Sequence, residues 1–308
     1  MPSLRQLSYL LALHEHGHFG RAAASCFVTQ STLSVGIAEL ERLLGAGLVE
    51  RTRRSVRFTA VGEEVVARAR GLVRAAEDLA AVAQGEREPL VGGLRLAAIP
   101  TVAPFLLPVL LPAVTRAWPR LTLTVRELLT GQACEALERG SLDCVLLALP
   151  VECGDVETLP VLTDRLLLAS ADGGTDQALT FEELDARRLL LLEDGHCLKD
   201  HALAACDVRV EAEAPLVAST LHTLVRLVDA GLGFTLLPEM AVAAGMLDGT
   251  RVRARPVAGI AAERAVALAW RRGHARGEEF RLLGETIRQA IAPAGLDGAR
   301  APATVPAA

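Results

Sequence analysis

The residues with the greatest chemical reach in this sequence are its six cysteines, Cys26, Cys134, Cys144, Cys153, Cys197 and Cys206. One stands out by its neighbours. The stretch Leu192-Glu193-Asp194-Gly195-His196-Cys197-Leu198-Lys199-Asp200 sets a thiol beside an imidazole and two residues before the only lysine of the chain, and Cys206 follows nine residues after Cys197. A thiolate, not a thiol, is the sulfur nucleophile, and cationic neighbours aimed at the sulfur favour it, so His196 and Lys199 are the side chains that could activate Cys197. Judged alone, a loop cysteine is more often an inert small hydrophobe. His196, Cys197, His201 and Cys206 are also four soft metal ligands. Adjacent His196 and Cys197 cannot easily face one ion and no paired-cysteine zinc spacing is present, so no metal and no cofactor is expected. Cys26, on a short helix, and Cys144, inside an apolar strand, read as small buried hydrophobes, while Cys134 and Cys153 are ambiguous and receive no redox role.

A second chemistry lies near the beginning of the chain. Arg51-Thr52-Arg53-Arg54-Ser55-Val56-Arg57 holds four arginines in seven positions, although the 308 residues carry a net charge of -5. A nucleic-acid contact would therefore come from this local patch and not from general positive charge. A solvated loop is the equally plain alternative. No secretory pattern opens the sequence and no apolar stretch approaches the roughly 20 residues that span a bilayer, so a soluble, cytoplasmic protein without membrane contact is expected. In that reducing compartment a disulfide would be a signal or a catalytic step, not a structural framework.

The elements that must position these groups can be read from periodicity. Leu4, Leu7 and Leu11 recur at helical spacing, His18-Phe19-Gly20 interrupts them, and a short alanine-rich helix runs to Cys26. Thr29 is a good N-cap for a helix whose buried stripe is Leu33, Ile37, Leu40 and Leu44, which leaves Gln30, Ser31, Thr32 and Ser34 outward at its start. Two short helices joined by a turn, followed by extended runs Leu48–Thr52 and Val56–Thr59 on either side of Arg53 and Arg54, predict a winged helix-turn-helix. A long helix follows with Val65, Ala69, Leu72, Ala76, Leu79 and Ala83 at the 3.5-residue period of a seam between packed helices, which predicts a dimer. After the polar break around Gln84–Pro89, strands alternate with helices, the pattern of an α/β domain with a mostly parallel sheet. The Pro, Ala and Gly-rich stretch 293–308 is expected to be a disordered tail.

Phe19-Gly20-Arg21-Ala22-Ala23, Val28-Thr29-Gln30-Ser31-Thr32-Leu33-Ser34, Leu48-Val49-Glu50-Arg51-Thr52-Arg53-Arg54 and Phe58-Thr59-Ala60-Val61-Gly62 together resemble the DNA-binding end of the LysR-type transcriptional regulators. Ser31 stands where that family commonly has proline, and basic residues are missing from Val35 to Glu39. Within the family, the Cys197 stretch with Cys206, the run Ala98-Ile99-Pro100-Thr101-Val102-Ala103-Pro104, the run Leu142-Asp143-Cys144-Val145-Leu146-Leu147-Ala148, and Ala230-Gly231 through Thr235-Leu236-Leu237-Pro238 are similar to the OxyR peroxide sensors. Lys199 occupies the place of a usual arginine, keeping the charge but not the planar fork.

The resemblance implies an α/β protein with a winged helix-turn-helix in 1–62, a linker and dimerisation helix in 63–88, and a two-lobed, periplasmic-binding-protein-like effector domain in 89–292. Its lobe I would take about 89–163 and 266–292, and lobe II about 164–265. It further implies that Cys197 is oxidised by hydrogen peroxide to a sulfenic acid and resolved by Cys206, in a pocket completed by Thr101, Thr130, His196, Lys199 and Asp200. Gln30, Ser31, Thr32, Ser34, Arg51, Arg53 and Arg54 would meet double-stranded promoter DNA, in a homodimer or homotetramer. RNA polymerase and a glutaredoxin- or thioredoxin-type reductant are the implied partners. Competing readings are a LysR-type regulator that takes a small metabolite between the lobes, a metal-responsive regulator, and a thiol peroxidase. The last would have no use for a DNA-binding end, so no enzyme is expected.

Overall fold

The computed structural model of the chain describes residues 1–51, 56–83, 88–171, 188–206, 216–257 and 262–292, without the side chains of Arg51, Arg74, Glu77, Asp78, Ala205, Cys206 and residues 80–83. Two compact units result, 1–87 with 138–141, and the remainder. In the first, helix α1 (Leu4–His16) starts at a reciprocal cap in which Ser3 Oγ accepts from the Gln6 N–H and Gln6 Oε1 accepts from the Ser3 N–H. Its buried face is Leu7, Leu10 and Leu13, whereas Leu4, expected in the stripe, is exposed because it lies in the uncovered first turn. His18 caps α2 (Phe19–Ser25) by accepting the Gly20 N–H at Nδ1. Cys26 ends that helix and is half-buried, not the fully buried hydrophobe expected.

Helix α3 (Gln30–Leu44) begins at the expected cap, with Thr29 Oγ1 accepting from the Thr32 N–H. Leu33, Ile37 and Leu40 are buried, and Gln30, Ser31 and Thr32 are exposed. Leu44 is exposed, because Gly45 stops the helix in a left-handed conformation before its last turn reaches the core. Ser34 is half-buried. Strands β1 (Val49–Arg51) and β2 (Val56–Phe58) pair antiparallel with Val49 opposite Phe58, forming the expected hairpin. Its tip, 52–55 with Arg53 and Arg54, lies outside the described residues. Helix α4 (Ala60–Ala83) then sends Val66 and Ala69 into the unit's own core, while Leu72 and Leu79 are 57% and 71% exposed. Only the second half of the expected seam is therefore open to a partner.

The second unit runs β3 (Gly92–Ala98), α5 (Ala103–Ala117), β4 (Leu121–Glu127), α6 (Thr130–Glu138), β5 (Cys144–Leu149), β6 (Val156–Ser170), β7 (Leu191–Leu192), α7 (Cys197–Cys206), β8 (Val217–Ala218), α8 (Leu221–Asp229), β9 (Phe234–Pro238), α9 (Glu239–Ala243), β10 (Arg253–Arg255), β11 (Glu263–Arg271) and α10 (Gly277–Ile291). The large sheet has the order β10-β6-β11-β5-β3-β4, with β9 also on β6. Among the described residues, only β3 with β4 and β3 with β5 pair parallel there; β11 pairs antiparallel with β5 and β6, and β6 with β9 and β10. The expectation of a mostly parallel sheet is thus corrected. Continuous apolar runs such as Cys144–Leu149 report that both faces of a strand are covered, and that property carries no information on direction. The 15-residue β6 pairs with β11 in its first part and with β9 and β10 in its second, so one strand serves both halves of the sheet.

The start of α4 is pinned by a close backbone approach. A Cβ on Gly62 would lie 2.1 Å from the Leu48 carbonyl oxygen. Gly62→Ala is therefore expected to destabilise the winged unit by about 1–3 kcal/mol, the usual scale of overpacking, whereas Gly71→Ala on the same helix, with nothing within 4 Å, gains up to about 1 kcal/mol of helix propensity. Thermal unfolding of the two variants measures both; equal melting temperatures would contradict the packing.

Candidate functional site

Strand β11 carries a residue that sequence patterning did not single out. Arg264 is 2% exposed, and its guanidinium is shared between a strand and a loop: Nε and Nη2 lie 3.0 Å from Asp164 Oδ2, Nη1 donates to Thr101 Oγ1 at 2.9 Å, and Nη2 donates to the Thr101 carbonyl at 3.0 Å. Asp164, on β6, is equally buried, and its Oδ1 accepts the Met240 N–H at the start of α9. Burial pushes the Asp164 carboxyl up from the ordinary carboxylate range, against the pull of the Arg264 charge. Arginine suits such a place because its planar fork serves a carboxylate and a hydroxyl at once. Thr101 Oγ1 spends one lone pair on Arg264, which leaves its O–H proton to be donated elsewhere.

Thr101 faces a cavity of about 240 Å³, lined also by Pro100, Glu127, Leu192, His196, Thr220 and His222 among others. His196 is buried, and desolvation holds its imidazole below the usual histidine range against the opposing charges of Glu193 and Glu127. Desolvation thus disfavours the charged imidazolium beside the sulfur. Its Nδ1 is buried and has no hydrogen-bond partner among the described residues.

Cys197, the first residue of α7, is 8% exposed and opens onto a different cavity of about 520 Å³. Helix α7 contributes Cys197 and Asp200, the turn before it Gly195, α6 its first residues Thr130 and Gly131, and the strap after β5 contributes Pro150, Val151 and Glu152. Placement at the first turn of a helix puts the sulfur near the positive end of the helix dipole. The structure thus gathers Cys197, Thr130 and Asp200 at one cavity and Thr101 with His196 at the other. Lys199 lines neither; its Nζ lies 2.5 Å from Asp194 Oδ1, so its charge is directed to an exposed carboxylate. His201, one turn along α7, is held low by burial and reaches the Pro150 carbonyl through Nε2 at 3.2 Å.

The other cysteines divide sharply. Cys144 is fully buried in β5 and its thiol is pushed up to about 12 by burial, as befits an inert core residue. Cys134 of α6 and Cys153 of the strap, given no role by the sequence, are joined in a disulfide with Cα atoms 5.1 Å apart. Nothing in their separation of 19 residues signals this pairing; the chain brings them together only because the exit of β5 folds back over α6. The side chain of Cys206 lies outside the described residues.

Comparison with known proteins bears on both units. Residues 4–63 match the bacterial regulatory helix-turn-helix protein, lysR family, and residues 87–292 match the LysR substrate binding domain. The HTH-type transcriptional regulator EstR of Acinetobacter baylyi is 49% identical over 80% of this chain and 83% of its own. A hydrogen peroxide-inducible genes activator of Dickeya chrysanthemi is 37% identical over 93% of this chain and 95% of its own. A solved full-length OxyR variant of Pseudomonas aeruginosa superposes with a TM-score of 0.78, at 34% identity, over 93% of this chain and 94% of that one.

Removing one member of a buried ion pair leaves an uncompensated charge. Arg264→Ala is expected to cost about 3–5 kcal/mol of stability in the second unit, and the double variant Arg264→Met, Asp164→Leu to recover most of it. Denaturant titration of both checks this. A single variant as stable as the parent would show that the pair does not hold the sheet.

Proposed function

The chain belongs to the LysR family of bacterial transcriptional regulators, and we propose that it is a redox-sensing member that reads hydrogen peroxide through Cys197. The observation that carries this reading is the place of the Cys197 sulfur: at the first turn of α7, nearly buried, yet facing a cavity with polar groups from Thr130 and Asp200. That is room for a small polar oxidant beside a nucleophile. In the reaction, the Cys197 thiolate attacks one peroxide oxygen, the O–O bond breaks, and a sulfenic acid and hydroxide result. The Cys206 thiol then attacks the sulfenic sulfur, forming the disulfide and releasing water. Thr101, through the O–H that Arg264 leaves free, and His196 line the second cavity, and we assign both to the orientation of peroxide. Lys199, paired to Asp194, is assigned to holding the Cys197 turn in shape.

The two cysteines stand at opposite ends of the ten-residue α7. Nine steps of about 1.5 Å separate their α-carbons by roughly 13 Å, whereas a disulfide needs about 7 Å or less. Bonding therefore requires α7 to unwind, and this helix is the bistable element of the switch. We place lobe I in about 89–163 and 266–292 and lobe II in about 164–265, so that unwinding α7 changes the surface of lobe II. In a dimer formed through the exposed Leu72 and Leu79 of α4, and in a tetramer of such dimers, that change resets the spacing of the DNA-reading heads. The exposed Gln30, Ser31 and Thr32 face the major groove with half-buried Ser34 behind them, and Arg51, Arg53 and Arg54 meet phosphates. The protein works in the cytoplasm on promoter DNA, with RNA polymerase as its client and a glutaredoxin- or thioredoxin-type dithiol to reset it; among the described residues no helix is long and apolar enough to cross a membrane.

Cys197→Ser should abolish the peroxide response, and Cys206→Ser should stop at the sulfenic acid, trapped by a dimedone-type probe. In the parent protein, hydrogen exchange over 197–206 should accelerate on oxidation. Unchanged exchange with the disulfide confirmed by mass would remove α7 as the switch. Arg53→Ala with Arg54→Ala should weaken DNA binding and lower the slope of affinity against salt by about one counterion for each phosphate left without its arginine; an unaltered slope in a salt titration would show that the wing leaves the backbone untouched.

A further inference from the structure

The Cys134–Cys153 disulfide lies where it can govern the cavity in front of Cys197. Cys134 is one helical turn beyond Thr130 on α6, and Cys153 directly follows Glu152, so the bond ties together the two walls that face α7 across that cavity. A second tie, His201 to the Pro150 carbonyl, links the same strap to α7 itself. A regulator that acts on DNA works among thiols that keep structural disulfides rare, and a bridge in such a protein is a site of exchange. The two sulfurs are also unequal: Cys134 is partly exposed on α6, while Cys153 is 9% exposed and packed in the core.

From this geometry we infer that Cys134 and Cys153 form a second, reversible thiol–disulfide site, which exchanges with low-molecular-weight thiols and disulfides of the glutathione class and controls access of small molecules to Cys197. In the opening direction an external thiolate attacks the accessible Cys134 sulfur, the bond to Cys153 breaks, and Cys153 leaves as thiolate and takes a proton. A second external thiol then attacks the external sulfur of the mixed disulfide, freeing Cys134. The sum is one protein disulfide and two thiols giving one protein dithiol and one small disulfide, and closing is the reverse. With the bond closed, α6 and the strap are held at fixed separation. When it opens, Val151 and Glu152 lose their tie to α6 and are held by Pro150 on the β5 side and by the Asp155–Arg272 contact on the β6 side, and the wall in front of the sulfur relaxes. The effect on peroxide rests on the function proposed above; the exchange and the access do not.

The test uses the full chain bearing Cys206→Ser, equilibrated in glutathione buffers of varied reduced-to-oxidised ratio, quenched by alkylation and mapped by peptide mass. The Cys134–Cys153 pair should convert between dithiol and disulfide in a single two-electron transition while the circular dichroism stays native. A bridge that persists at every ratio, or that opens only with loss of fold, overturns the proposal. In the same samples the rate of Cys197 alkylation by iodoacetamide should differ at least several-fold between the open and closed forms. The doubly substituted Cys134→Ser, Cys153→Ser chain should match the open form. Equal alkylation rates overturn the control of access. If those rates differ while peroxide leaves Cys197 unoxidised in both forms, the access site stands and the peroxide reading falls.

Discussion

The second unit is organised around one buried charge pair. Arg264 and Asp164 have 0% and 1% of their side chains exposed, and taking two such charges out of water costs several kcal/mol per ion unless geometry and further hydrogen bonds offset it. Here the guanidinium serves the carboxylate and both oxygens of Thr101, and the carboxylate also accepts the Met240 N–H. The partners come from β6, β11, the connection from β3 to α5, and the start of α9. Because none can move without stranding a charge, the pair locks the segments where the long strands pass from one half of the sheet to the other. The lobe boundaries we assign fall at 163/164 and 265/266, within a residue or two of Asp164 and Arg264.

In the proposed switch, this lock leaves the small helix α7 free to change. Helix α7 follows β7, which pairs with β8 in a small sheet of its own, and among the described residues its side-chain ties include the His201 contact to Pro150 and the Lys199 contact to Asp194. The Lys199 pair reaches an exposed carboxylate, where water competes and ion pairs are worth little, while the His201 contact is a single hydrogen bond from a buried ring. In the proposed mechanism a charge-locked crossing lets a local transition of α7 proceed while the remaining fold stays intact.

The two cysteine pairs differ in the same physical terms. Cys197 and Cys206 lie along one helix, too far apart to bond until it unwinds. Cys134 and Cys153 lie on different elements already in register, so their bond forms within the native fold. In the proposed mechanism the first pair couples oxidation to a change of shape, and in the exchange we infer the second couples it to the stiffness of a cavity wall. Cys144, with its thiol pushed up to about 12 inside β5, takes part in neither.

Local chemistry was legible in the amino-acid order. Thr29 as a cap, the 3.6-residue stripe of Leu33, Ile37 and Leu40, the hairpin around the arginines, and the unusual company of Cys197 all depend on residues within a turn or two of one another, where spacing dictates which side chains share a face. Strand direction was not legible, because a strand covered on both faces looks the same whichever way it runs. Nor was the fate of Leu4 and Leu44, set by what other elements happen to cover. The tertiary structure alone decided that Arg264 meets Thr101 across 163 residues, that Thr101 and His196 share a different cavity from Cys197, and that Cys134 meets Cys153. Those meetings depend on how strands cross and straps fold back, and a distance through space of a few ångströms leaves no trace in the separation along the chain.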